Sequence, residues 1–108
     1  MEALDPIFET LSDPIRREIV EILKVGPRRA GELAELLAMS PQAMSRHLRM
    51  LRQNGLVEER EAANDARVRM YRLRREPFSR LQAWLEDVAA FWTEQLGSFK
   101  KHAERKRK

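Results

Sequence analysis

The strongest constraint on the fold lies between Ser40 and Gly55. Ser40 followed by Pro41 is a helix start: the serine caps, and the proline takes the first turn, where a missing N–H costs nothing. Gly55 is the stop signal. Between them Met44, Leu48 and Leu51 recur at spacings of four and three, which makes one apolar face. Gln42, Ser45, Arg46, Arg49, Arg52 and Gln53 are left on the polar side. The preceding segment, about Ala30 to Met39, carries Leu33, Leu36 and Leu37 as its inward residues. Only a few residues separate the two helices, so they pack as a crossed pair, which is helix-turn-helix logic.

The flanking segments complete a small domain. Ile7, Phe8 and Leu11 predict a short first helix. Asp13-Pro14 starts a second, with Ile15, Ile19, Ile22 and Leu23 inward, Arg16, Arg17, Glu18 and Glu21 outward, and Gly26-Pro27 as its end. Beyond Gly55 the period changes to that of strands. Leu56 and Val57 close the packing, and Asn64-Asp65 is read as the turn between strands at 57–62 and 67–73. Arg67 falls near the tip, and Tyr71 and Leu73 are expected inward, although both faces of that strand carry apolar residues. Pro77 starts the last helix, where Phe78, Leu81, Leu85, Val88, Trp92, Leu96 and Phe99 recur three or four apart and Trp84 and Phe91 widen the stripe. A small core cannot cover a stripe of that length, so the same helix of a second subunit is its simplest partner, with Ile7, Phe8 and Leu11 beside it.

The expected fold is therefore mainly α with a small β-hairpin, a winged helix-turn-helix that dimerises through its N- and C-terminal helices. Residues 1–97 form one domain and 98–108 a basic end. The length of 108 residues and an apolar content of 43% suit one domain with a modest core. There is no cysteine, hence no disulfide and no thiolate metal site. The start is not signal-like and no apolar run approaches the roughly 20 residues of a membrane span, so the cytoplasm is the expected compartment and no membrane partner is expected.

The net charge of +4 is unevenly placed. Lys100, Lys101, Arg105, Lys106, Arg107 and Lys108 stand against Glu104 alone, while residues 41–55 hold Arg46, Arg49 and Arg52 with no acid. Residues 60–75 hold six arginines against Glu61 and Asp65. A solvated helix face is the bland reading of such residues. Their place on the second helix of a tight pair, followed by an arginine-rich hairpin, favours contact with double-stranded DNA. Gln42, Ser45 and Arg46 lie where base edges are read, Arg49 and Arg52 suit phosphates or groove edges, and Arg67 and Arg69 suit a neighbouring minor groove or its phosphates.

His47 is read as a surface or core-edge residue, and His102 lies far away in the tail. Neither supplies a metal site, and no cofactor is expected. Trp84, Phe91, Trp92 and Phe99 read first as dimer packing and second as the lining of a small-molecule effector pocket. No paired carboxylates, nucleophile–base pair or glycine-rich phosphate loop appears, so an enzyme is not expected.

These residues, in this order and spacing, resemble the ArsR family of bacterial winged-helix repressors over most of the chain. The segments that carry the resemblance are Leu11-Ser12-Asp13-Pro14-Ile15-Arg16-Arg17-Glu18-Ile19, Gly31-Glu32-Leu33-Ala34, Ser40 to Leu48, Leu51, Gly55-Leu56-Val57 and Arg69 to Leu73. The resemblance implies a homodimer on an imperfect inverted-repeat operator, each recognition helix in one major groove, and repression as the usual outcome. Metal-sensing members hold ligands on the helix before the recognition helix or on the last helix. Here Leu33 to Met39 carries no cysteine, and Glu86, Asp87 and Glu94 have no histidine partners. The resemblance is thus to the cysteine-free members. A dimeric winged helix that docks a protein instead of DNA is the rival reading.

Overall fold

The computed structural model describes the backbone of residues 4–107 and the side chains of residues 4–97. The basic end from Ser98, with Phe99 and His102, therefore lies outside the described side chains. The elements run α1 (Asp5–Leu11), α2 (Pro14–Val25), α3 (Ala30–Leu36), α4 (Pro41–Gln53), β1 (Val57–Ala62), β2 (Asp65–Leu73) and α5 (Arg75–Arg107). They fall into two compact units, residues 1–78 and 79–108.

In the first unit the apolar stripes of four short helices converge with the root of the hairpin. Ile7, Ile19, Leu23, Leu33, Ala34, Met44, Leu48, Leu51, Leu56 and Val57 are all buried there. Each large aliphatic side chain so buried contributes roughly 1.5–3 kcal/mol. Asp13 caps α2 as its sequence promised, accepting hydrogen bonds from the N–H groups of Ile15 at 2.8 Å and Arg16 at 3.3 Å. Burial alone would raise the Asp13 carboxyl, but these two bonds and the Arg16 charge outweigh it and hold its pKa below the usual value.

Arg16 and Arg17 do not simply fill the outer face of α2. Arg16 Nε donates to Thr10 O at 2.6 Å and Arg17 Nη1 to Leu11 O at 2.7 Å, so both turn back onto the C-terminus of α1. Cationic donors there satisfy carbonyls that have no intrahelical partner.

α3 is shorter than expected, and Leu36 is exposed instead of inward. At about 100° per residue, the arc that faces the core is occupied by Leu33, Ala34 and Leu37, and Leu36 turns out of it. The chain reverses at Ala38, whose φ of 51° is left-handed. Ala38 N–H donates to Glu35 O at 3.2 Å and Met39 N–H to Ala34 O at 2.9 Å, which ends α3 and leaves Ser40 in place to cap α4.

β1 and β2 pair antiparallel, from Val57 opposite Leu73 to Glu61 opposite Arg69. The turn is Ala63-Asn64, one residue earlier than expected, and β2 begins at Asp65. The register then shifts between Glu61 and Ala62, so Ala66, Arg67 and Val68 bulge from β2 without cross-strand partners. Asp65 supports that bulge by accepting from the Arg67 N–H at 3.0 Å, a role for its carboxylate that displaces it from the turn itself.

A third extended piece joins the hairpin. Arg28, between α2 and α3, bridges Tyr71 through Arg28 N–H to Tyr71 O at 3.1 Å and Tyr71 N–H to Arg28 O at 2.8 Å. α5 begins at Arg75, two residues before Pro77, which occupies the first turn, where its missing N–H has no intrahelical acceptor to lose.

The second unit is the rest of α5. Leu81, Trp84 and Val88 are half-buried along it, whereas Leu85, Phe91, Trp92 and Leu96 are 52–64% exposed. The rings of Phe91 and Trp92 meet edge to face, 5.8 Å between centroids and 77° between planes. Among the described residues no helix is long and apolar enough to cross a membrane.

Candidate nucleic-acid interface

α4 owes its direction to its two ends. Ser40 Oγ accepts from the Ala43 N–H at 3.1 Å, and Gly55 takes the left-handed conformation that lets the chain leave for β1. With Met44, Leu48 and Leu51 buried beneath it, the helix presents Gln42, Ser45, Arg46, Arg49 and Arg52 to solvent. His47 is half-buried beside them, in a shallow recess shared with Arg16, Ala43, Arg46 and Met50. That is the core-edge position expected for it.

The arginines of this face fall into two electrostatic groups. Arg46 and Arg49 form no ion pair among the described residues. Arg52, one turn later, donates from Nη1 to Glu59 Oε2 of β1 at 2.8 Å. The hairpin arginines are paired as well: Arg69 lies 3.9 Å from Glu59 Oε1 and 4.0 Å from Glu61 Oε1. Arg67, with 91% of its side chain exposed at the bulge, sits 3.3 Å from Asp65.

On the other face Glu58 accepts from Arg72 and from Arg60. The Arg72 hydrogen bond, with the two arginine charges, holds the Glu58 carboxyl below its usual range. Burial, helped by the Glu59 charge opposite, pushes the Tyr71 phenol up.

The hairpin is consequently less basic than its arginines suggest. Over residues 57–73, Arg60, Arg67, Arg69 and Arg72 are matched by Glu58, Glu59, Glu61 and Asp65. Net positive charge is concentrated on α4 and thins out toward the hairpin. The sequence singled out the arginines; it passed over Glu59, whose only prior signal was its alternation with Val57 and Glu61 on one face of β1. Gln42, Ser45, Arg46 and Arg49 are brought together on the exposed face of α4 ahead of Arg52, and Arg52 and Arg69 meet around Glu59. Arg67 stands apart at the tip.

The residues expected at a subunit interface are divided. Ile7 is buried in this chain, 1% exposed. Phe8 and Leu11 are half-buried. Leu81, Trp84, Leu85, Val88, Phe91, Trp92 and Leu96 lie on α5, with the largest exposed areas from Leu85 onward. Among the described residues no group of three histidine, cysteine, aspartate or glutamate side chains gathers where a metal ion could be held.

Comparison with known proteins places this arrangement. The profile of bacterial regulatory proteins of the arsR family matches residues 13–59, from the cap of α2 to Glu59. The HTH-type transcriptional regulator Rv2034 of Mycobacterium tuberculosis is 39% identical over 95 residues, spanning 88% of this chain and 83% of that protein. The transcriptional repressor SdpR of Bacillus subtilis is 36% identical over 56 residues, 52% of this chain and 62% of that one. Among solved structures, a homodimeric winged helix-turn-helix DNA-binding domain from Mycobacterium bovis superposes with a TM-score of 0.64 at 27% identity, covering 82% of this chain and 80% of that one. With α3 and α4 as the helix-turn-helix and β1–β2 as the wing, the chain belongs to the ArsR family of bacterial regulatory proteins and is a DNA-binding transcriptional repressor.

Proposed function

We propose that the protein represses as a homodimer bound to an inverted-repeat operator, with α4 of each subunit in a major groove. Gln42, Ser45 and Arg46 read base edges, Arg49 and Arg52 contact phosphate, and Arg67 and Arg69 follow the adjacent minor groove or its backbone. The observation that carries this reading is the part of α4 ahead of Arg52. It is capped at Ser40, anchored by Met44 and Leu48, and presents arginines that no carboxylate engages among the described residues. Exposed guanidinium groups that no carboxylate holds pair with guanine edges or phosphates with little internal competition. The homodimeric state of the M. bovis relative and the exposed apolar row on α5 support the same assembly here.

The test is titration of a selected operator and of random duplex with the wild type and two variants. Arg46→Ala is expected to cost about 1–3 kcal/mol on the operator and less on random DNA. Arg67→Ala is expected to weaken both alike and to reduce the salt slope by about one. Equal losses on operator and random duplex for Arg46→Ala overturn its base-reading role.

A further inference from the structure

The junction between the end of α4 and the wing is an open notch lined by Arg52, Val57, Glu58, Glu59, Arg69 and Arg74. Glu59 is one of these lining residues and faces an arginine with each of its oxygens. Oε2 takes Arg52 of the recognition helix at 2.8 Å, and Oε1 faces Arg69 of the wing at 3.9 Å. No other carboxylate among the described residues joins a recognition-helix arginine to a wing arginine.

We propose that Glu59 is a built-in competitor for DNA phosphate, one that sets how tightly and how salt-dependently the protein holds any duplex. The inference rests on the reading of α4 and the wing as the DNA surface. A carboxylate and a phosphate each offer a guanidinium a pair of anionic oxygens for two parallel hydrogen bonds. In the free protein the carboxylate holds Arg52 and Arg69. Glu59 is 25% exposed, but Arg52 and Arg69 are 50% and 57% exposed, and pairs so open to solvent are individually weak, so a phosphate can take their place.

Exchange does not remove the displaced charge. Glu59 stays on β1 beside the incoming backbone and opposes it, so the two arginines neutralise less phosphate than their number implies. Base contacts made by Gln42, Ser45 and Arg46 lie on the other half of α4 and are untouched. The effect therefore falls on every duplex equally, tuning affinity and release without altering sequence preference.

The experiment compares wild type, Glu59→Gln and Glu59→Asp on operator and random duplex between about 50 and 200 mM salt. Removing the charge frees about one further phosphate contact, so the log–log salt slope of Glu59→Gln is expected to steepen by about 0.9. Its affinity gain over wild type is then about 3.5-fold larger at the low-salt end than at the high-salt end, on both duplexes, with the operator-to-random ratio unchanged. Glu59→Asp keeps the charge and is expected to keep the wild-type slope.

Weaker binding by Glu59→Gln, or an unchanged slope, overturns the proposal and makes Glu59 a structural strut. A steepened slope in Glu59→Asp also overturns it, because charge is then not the cause. Wild-type protein that binds operator and random duplex alike would overturn the base-reading assignment while these slopes still decide the role of Glu59.

Discussion

Replacing Ala38 by glycine should stabilise the protein, because the turn between the two helices of the motif is made by a residue with the wrong covalent structure for it. At φ 51° the Ala38 Cβ crowds the following carbonyl, at about 1–2 kcal/mol for an L-residue. Glycine removes that cost but loses more backbone freedom on folding, roughly 0.5–1 kcal/mol. Ala38 is exposed, so no buried methyl is sacrificed, and the hydrogen bonds at Ala38 and Met39 involve backbone only.

The balance is a gain of about 0.5–1 kcal/mol. With about 4–8 °C per kcal/mol for a domain of this size, the melting temperature should rise by roughly 2–8 °C. Thermal and urea denaturation should be run at one fixed protein concentration, since self-association makes the midpoint concentration-dependent. An unchanged urea slope would confirm that the denatured state has not been altered instead. Operator affinity should stay within about twofold, because the turn keeps its path and α4 its cap. A midpoint that is unchanged or lower refutes the reasoning and implies that the Ala38 methyl makes compensating contacts.

Three further perturbations follow from the same structure. Gly55→Ala places a Cβ at φ 76° and 3.3 Å from Arg74 Nη1, so it should cost about 1–2 kcal/mol, read as a lowered urea midpoint. Asp13→Ala should cost about 1 kcal/mol at neutral pH through the lost cap. The folded-state pKa of Asp13 is depressed, so this contribution is fully present above the unfolded value of 3.8 and disappears as the pH falls through the folded one. The stability gap between wild type and variant should hence be constant from pH 7 to pH 5 and narrow below about pH 4; a gap that widens on acidification contradicts the assignment. Trp92→Glu puts a charge in the exposed row of α5 and should shift sedimentation toward monomer with helical content retained. An unchanged dimer would mean that this row is not the interface.

Much of this architecture was legible because the signals at helix ends agreed with the apolar period between them. Asp13-Pro14 with Gly26, and Ser40-Pro41 with Gly55, bracket α2 and α4, and Met44, Leu48 and Leu51 are buried as their spacing required. The left-handed turn at Ala38 was not legible, since neither glycine nor asparagine marks it, and α3 ends at Leu36, short of the Met39 that its apolar spacing suggests. The Arg28–Tyr71 bridge leaves no periodic trace, being a single pair 43 positions apart in sequence. Charge was the least legible quantity. Arginines can be counted along a chain, but whether each is free or held depends on carboxylates brought by another strand, as with Arg52 and Glu59.

The bridge from Arg28 has a mechanical consequence. Tyr71 is paired on both edges, with Glu59 on one side and Arg28 on the other, so the root of the hairpin is clamped to the segment that follows α2. Past Tyr71 the strand has one neighbour, and past Arg69 none until Asp65. The hairpin is thus a cantilever with a fixed root and a compliant end of roughly four residues, about 13 Å. Amide protection should fall stepwise from Tyr71 toward Arg67, and groove widths that differ between duplexes can be absorbed by bending that end while the helix seated in the adjacent groove keeps its register.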